Sequence, residues 1–204
     1  MTMLASDVIS RARDILHDTD GIRWLDAEML RWVADGQREA VALNPSLYTK
    51  TIVFTLVAGV TQSLVAVTDF VGLVAVSKNV AADGVTPGRV VTMIDERLME
   101  ALDPLWQAAA PATTVIHAMY DPARRYQFRV QPPAVAGGKV EVIYGATPPE
   151  VVSVTDTLAL RDNCLPMLVD YVVFRAISKD SEVADELARA KIHYDRFVAQ
   201  APKL

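Results

Sequence analysis

The chain has 204 residues, 51% of them hydrophobic, which suits one core or one core with an insertion and excludes a disordered chain. No uninterrupted apolar run reaches the roughly 18 to 20 residues that a membrane-spanning helix needs. The net charge of −5 is spread thinly, as −3 over residues 1–47, −1 over 48–150 and −1 over 151–204. No segment therefore offers the basic stripe that phosphate neutralisation requires, and a mildly acidic surface suits DNA as passing cargo better than as a clamped ligand.

The first elements are helical. Leu4, Val8, Ala12, Ile15 and Leu16 follow helical spacing, with Arg11, Arg13 and Asp14 opposite. Gly21 is expected to end this helix and Asp26 to cap the next, with Glu28 near its positive end. The second helix groups Leu30, Val33, Ala34, Gln37 and Val41 on one face and stops at Asn44-Pro45. Trp32 falls off that stripe, so it either widens the core or faces a partner.

From Thr49 the period changes to two. Lys50 to Leu56 reads as a strand, Ala58-Gly59-Val60 as its turn and Thr61 to Val65 as the returning strand. Gly72 to Lys78 is another strand, residues 82–88 a loop, Arg89 to Val91 a short extended piece, and Asp95 to Leu102 a short helix stopped by Asp103-Pro104. Thr113 to Tyr120, Arg125 to Val130 and Lys139 to Tyr144 read as an antiparallel meander. After Thr147-Pro148-Pro149 a helix starts near Asp162 or Asn163, with Pro166 in its first turn. Lys179-Asp180-Ser181 turns the chain, Ser181 caps the last helix, and Glu182 to about Gln200 follow with Val183, Leu187, Ala190, Tyr194, Phe197 and Val198 as the apolar stripe. The expected fold class is α+β: N- and C-terminal helical hairpins (1–47 and 151–204) form one bundle, and residues 48–150 form an inserted antiparallel β domain.

Chemistry-bearing patterns are sparse. Asp18-x-Asp20-Gly21 opens like a calcium loop, but Ile22 and Met29 stand where that loop needs oxygen ligands, so it reads as a turn. His17, His117 and His193 are scattered, and His193 and Asp195, two apart on a helix, project in different directions. Cys164, the single cysteine, reads as a packed thiol and places folding in a reducing compartment. No secretion signal is recognised at the N-terminus. Gly84-x-x-x-Gly88 lacks the Lys and Ser or Thr of a phosphate loop. No catalytic, cofactor or metal set is expected. Arg23-Trp24 and Arg31-Trp32 set an arginine beside an aromatic, a pairing enriched at protein interfaces. These four, Arg38, and Phe197, Val198, Lys203 and Leu204 at the C-terminus are the candidate interface residues. The last group is expected to lay apolar side chains into a partner's groove.

Read together, these runs resemble a bacteriophage head-to-tail adaptor family, distantly like the tail tubular A proteins of short-tailed phages. The likeness is carried by Arg23 to Glu39, by Ala82-Asp83-Gly84…Thr86-Pro87-Gly88-Arg89, by Tyr126 to Pro133, by Val140 to Pro148 and by Asp170 to Glu182, in that order along most of the chain. It departs at Ala34, where an Asn is expected, which loosens any contact made there. The resemblance implies a ring, commonly a dodecamer, beneath the portal protein, passing DNA along its axis and receiving a tail tube or nozzle protein below. It implies a place at the head-tail junction of the virion after assembly in the bacterial cytoplasm, with no membrane partner. The competing readings are a scaffold or host-interaction module outside the virion, which remains monomeric, and a tail-associated hydrolase, for which the sequence offers no paired carboxylates or His-metal site.

Overall fold

The computed structural model describes residues 3–203 apart from 181–183, with the side chains of Asp180, Ala184 and Lys203 left out. The expected cap at Ser181 and the start of the last helix at Glu182 and Val183 lie outside the described residues, as does Leu204. The fold is α+β, and the chain divides into two compact units, residues 1–48 with 147–204, and residues 49–146.

In the helical unit, α1 (Ala5–Leu16) buries Ala5, Val8, Ile9 and Ala12. Its first N–H groups have no partner within the helix. The returning segment supplies them: Ala5 N–H donates to the Asp156 carbonyl (3.0 Å) and Ser6 N–H to that of Val154 (2.9 Å). α1 ends at Leu16, earlier than Gly21, because His17 turns left-handed at φ 55°. The turn that follows is built on Asp18, whose carboxylate accepts the N–H groups of Ile22, Arg23 and Trp24, each at 3.0 Å. These bonds hold its pKa below the ordinary carboxylate value, with the Arg23 N–H the largest cause. Both oxygens are engaged by backbone donors of the turn, which explains why the calcium pattern stops at its opening.

α2 (Asp26–Leu43) starts one residue off the expected cap: Leu25 is the cap and Asp26 the first helical residue, accepting from Arg13 at 2.7 Å. Trp32 is buried beside Val33 and Gln37, so it widens the core. α4 (Leu165–Asp180) packs against α1, α2 and α5 (Ala184–Gln200), which makes it the centre of the bundle. Gln37 is fully buried and its Oε1 accepts from Ala159 N–H (2.8 Å) and Leu160 N–H (3.4 Å), fastening α2 to the segment that leads into α4.

The β unit holds two four-stranded sheets. One runs β1 (Thr49–Thr55), β8 (Lys139–Ala146), β3 (Phe70–Val80), β4 (Pro87–Val90), with every pair antiparallel. The other runs β2 (Gly59–Ser63), β7 (Gln127–Ala134), β6 (His117–Tyr120), β5 (Thr92–Met93), in which β5 and β6 are parallel. The expected β1–β2 hairpin is therefore corrected, and so is the meander: β1 pairs with β8, and β7 and β8 lie in different sheets. The reason is local. Buried Gln62 accepts from Val57 N–H (2.8 Å) and donates to the carbonyls of Val57 (2.9 Å) and Gly59 (3.2 Å), so the turn's polar groups are bound by a side chain and the strands part. Phe54 of β1 meets Phe128 of β7 edge-on at 5.7 Å, joining the sheets in one core. α3 (Glu96–Leu102) is capped by Asp95, whose carboxylate accepts from Arg97 N–H at 2.8 Å.

Replacing Gln37 by Leu leaves the part-buried Ala159 N–H and the buried Leu160 N–H without their acceptor, a cost of about 1–3 kcal/mol. Urea unfolding is expected to show that loss for Gln37→Leu, and less than about 0.5 kcal/mol for Leu43→Ala on the exposed face.

Candidate functional site

The two helical runs that carry the resemblance meet each other. Lys179 donates to Glu28 (2.5 Å), Arg175 to Asp35 (3.5 Å) and to the Tyr171 hydroxyl (3.1 Å), and the Tyr194 hydroxyl donates to Glu39 (2.7 Å). Between these polar pairs Gly36 lies so close to Tyr171 that an added Cβ would stand 2.8 Å from its ring. Burial pushes the Tyr171 pKa up to about 12, and the Glu39 bond, followed by burial, raises that of Tyr194. Both hydroxyls stay protonated at neutral pH and available as donors. The ion pairs are partly exposed, so each contributes about 0–1 kcal/mol and serves mainly to set register.

This placement revises the expected interface. Trp24 and Trp32 are buried and pack edge to face at 5.6 Å, so they belong to the core. Arg23 lies 5.2 Å over the Trp24 ring, and the Lys179 ammonium 5.7 Å from it. Arg31 is exposed, and Arg38 is exposed with Asp35 at 3.7 Å. Phe197 is fully buried, 4.9 Å from Tyr171 and 6.1 Å from Tyr194, so it is not an anchor offered to a groove. Val198 is half-buried. The side chain of Lys203 and the whole of Leu204 lie outside the described residues.

One cluster is absent from the sequence reading. His193 Nδ1 pairs with Asp170 Oδ1 at 2.7 Å, and Gln200 donates to the other Asp170 oxygen at 3.2 Å, tying α5 to α4. The signal was present: Asp170 and His193 lie at nearly equal distances from the ends at which α4 and α5 adjoin, so antiparallel packing must bring them level. His17 is exposed at its helix end, and His117 is half-buried in β6. Cys164 is buried, which pushes its thiol pKa up and away from the thiolate that nucleophilic chemistry needs. Among the described residues no three His, Cys, Asp or Glu side chains converge on a metal position.

The loop Ala82 to Arg89 is rigidly built. The Asp83 carboxylate accepts from the Thr86 hydroxyl (2.5 Å) and from the N–H groups of Val85 and Thr86 (both 2.9 Å). Gly84 takes φ +77°, which permits the turn. Asn79, buried beneath, donates to the carbonyls of Arg89 and Val115 and accepts from Val115 N–H, all at 2.8 Å. The Thr86 hydroxyl first, and then the two N–H groups, lower the Asp83 pKa from 3.8 to about 2. A lowered pKa means that the carboxylate's stabilisation is complete above pH 3.8 and is lost as pH falls through about 2. Asp83→Ala removes it at every pH. The melting-temperature difference between wild type and Asp83→Ala is thus expected to shrink as pH falls from 5 towards 2; a constant difference would mean that the ionised carboxylate is not the source.

A family model described as SU10 adaptor protein matches residues 3–204, nearly the whole chain. No curated protein matches it. With that match across both units, the chain belongs to the SU10 adaptor protein family and is a structural adaptor of the bacteriophage head-to-tail type.

Proposed function

We propose that the protein forms a ring, commonly of twelve subunits, beneath the portal, joining the DNA-filled head to the tail and letting DNA pass along the axis. The observation that carries this reading is the family match over residues 3–204. Two features support it. The dispersed charge of −5 leaves no basic track to hold DNA, as a passage requires. The rigid network between α2, α4 and α5 suits a part that must keep its shape while DNA under pressure moves past. In this reading the partners are other copies of the chain, the portal protein and a tail tube or nozzle protein; DNA is cargo, and the protein is made and assembled in the bacterial host cytoplasm. Arg23, Arg31 and Arg38, together with Val198, Lys203 and Leu204, remain the proposed contacts to those neighbours.

The test is a phage lacking this gene, viewed by electron microscopy, with complementation from a plasmid. The expected result is filled heads that lose their DNA and carry no tails, rescued by the wild-type chain. Normally tailed, infectious particles would overturn the proposal and favour a role outside the virion.

A further inference from the structure

α3 presents an unusual surface. Leu98 and Leu102, with Leu105 just beyond the helix, are 53%, 73% and 75% exposed. The spacing of four sets Leu98 and Leu102 on one face of the helix, and Leu105 follows after the chain turns extended at Asp103. The adjoining sides are fixed: Met99 packs with Trp106 and Met119, and Glu96 bonds Arg129 and lies 3.6 Å from Arg124. Contiguous exposed leucines on a rigid support mark an interaction surface. Its exposed charges are Asp95, Glu100 and Asp103 against Arg97, three acids to one base.

The same unit carries a hollow of matching character. Where the turn from β7 into β8 approaches the β3–β4 hairpin, a space of about 490 Å³ opens, lined by small residues such as Ala81, Ala82, Ala136 and Gly137. The charged side chains in its lining, Arg89 and Lys139, are both basic. The Ala82–Arg89 loop that walls it is the motif for which the adaptor role had no use, and its Asp83 is committed to holding the loop. α3 is anchored away from the hollow of its own chain. It is pinned to Arg129, five residues and so about 17 Å along β7 from Ala134, where that strand ends beside the hollow.

We propose that the leucine face of α3 docks into this hollow on a second copy of the chain, with Glu100 and Asp103 against Arg89 and Lys139. Two different patches that meet head to tail make a heterologous contact, which closes into a ring where the rotation between copies allows. The inference rests on the ring reading above and names the seam that the ring would use.

The experiment is mass photometry of the purified full chain, alone and with the portal protein, for wild type, Leu102→Asp and Arg89→Glu. Both substituted side chains are exposed, and thermal unfolding checks that each variant folds. Wild type is expected to assemble, while each variant loses every species above monomer. Mixing the two variants is the sharper arm: the intact hollow of Leu102→Asp accepts the intact α3 of Arg89→Glu, giving dimers and nothing larger. Restored assembly in the double variant Arg89→Glu/Glu100→Arg would locate the charge pair. Variants that assemble as wild type does would overturn this seam and leave the ring reading standing. A wild type that stays monomeric even with the portal would overturn both.

Discussion

The approach of α2 to α4 at Gly36 is the constraint on which the helical unit depends. A helix loses backbone entropy at an interior glycine, about 1 kcal/mol relative to alanine. Here the loss is offset because any Cβ would enter the space of the buried Tyr171 ring. With the backbones this close, the neighbouring residues fall into reach of one another: Gln37 finds the 159–160 segment, Glu39 the Tyr194 hydroxyl, Asp35 the Arg175 guanidinium. Move α2 outward by the width of a methyl group and each of these bonds lengthens together.

The β unit follows the same logic at smaller scale. Two buried amides, Gln62 and Asn79, satisfy backbone groups that no strand pairing reaches, at the turn where the chain changes sheet and beneath the Ala82–Arg89 loop. An unpaired buried N–H or C=O costs more than a made bond returns, so such amides decide topology. Thr49 and Gly145 face each other across β1 and β8, so the unit begins and ends on neighbouring strands.

How much of this was legible in the sequence depended on the range of each interaction. Helical spacing gave α1, α2 and α4, and alternation gave most strands to within a few residues, because both are properties of consecutive residues. Strand partners were not legible: β1 and β2 look like a hairpin until Gln62 is seen to occupy the turn. Sequence alone leaves Trp32 open between core and partner and makes Trp24 and Phe197 candidate interface residues, because conspicuous aromatics on helices resemble an interface and nothing local reveals which residues supply their packing. The Asp170–His193 pair is not legible from local spacing, because it forms only once the last two helices pack against each other. Leu98 and Leu102 lie within a helix that the sequence predicts, but their exposure depends on which side Met99 and Trp106 hold.

The adaptor reading therefore rests on a body whose two most distinctive runs hold the fold, leaving docking to residues around them. The direct test of that claim is a double-mutant cycle on Gly36→Val and Tyr171→Ala, with stability from urea unfolding. The Tyr171 ring is the nearest obstacle to a valine side chain at this position, with Leu168 next at 3.4 Å, so the two losses are expected to be less than additive, with a coupling of about 1–3 kcal/mol. Losses that simply add would show that the runs do not constrain each other and that Gly36 serves some other surface.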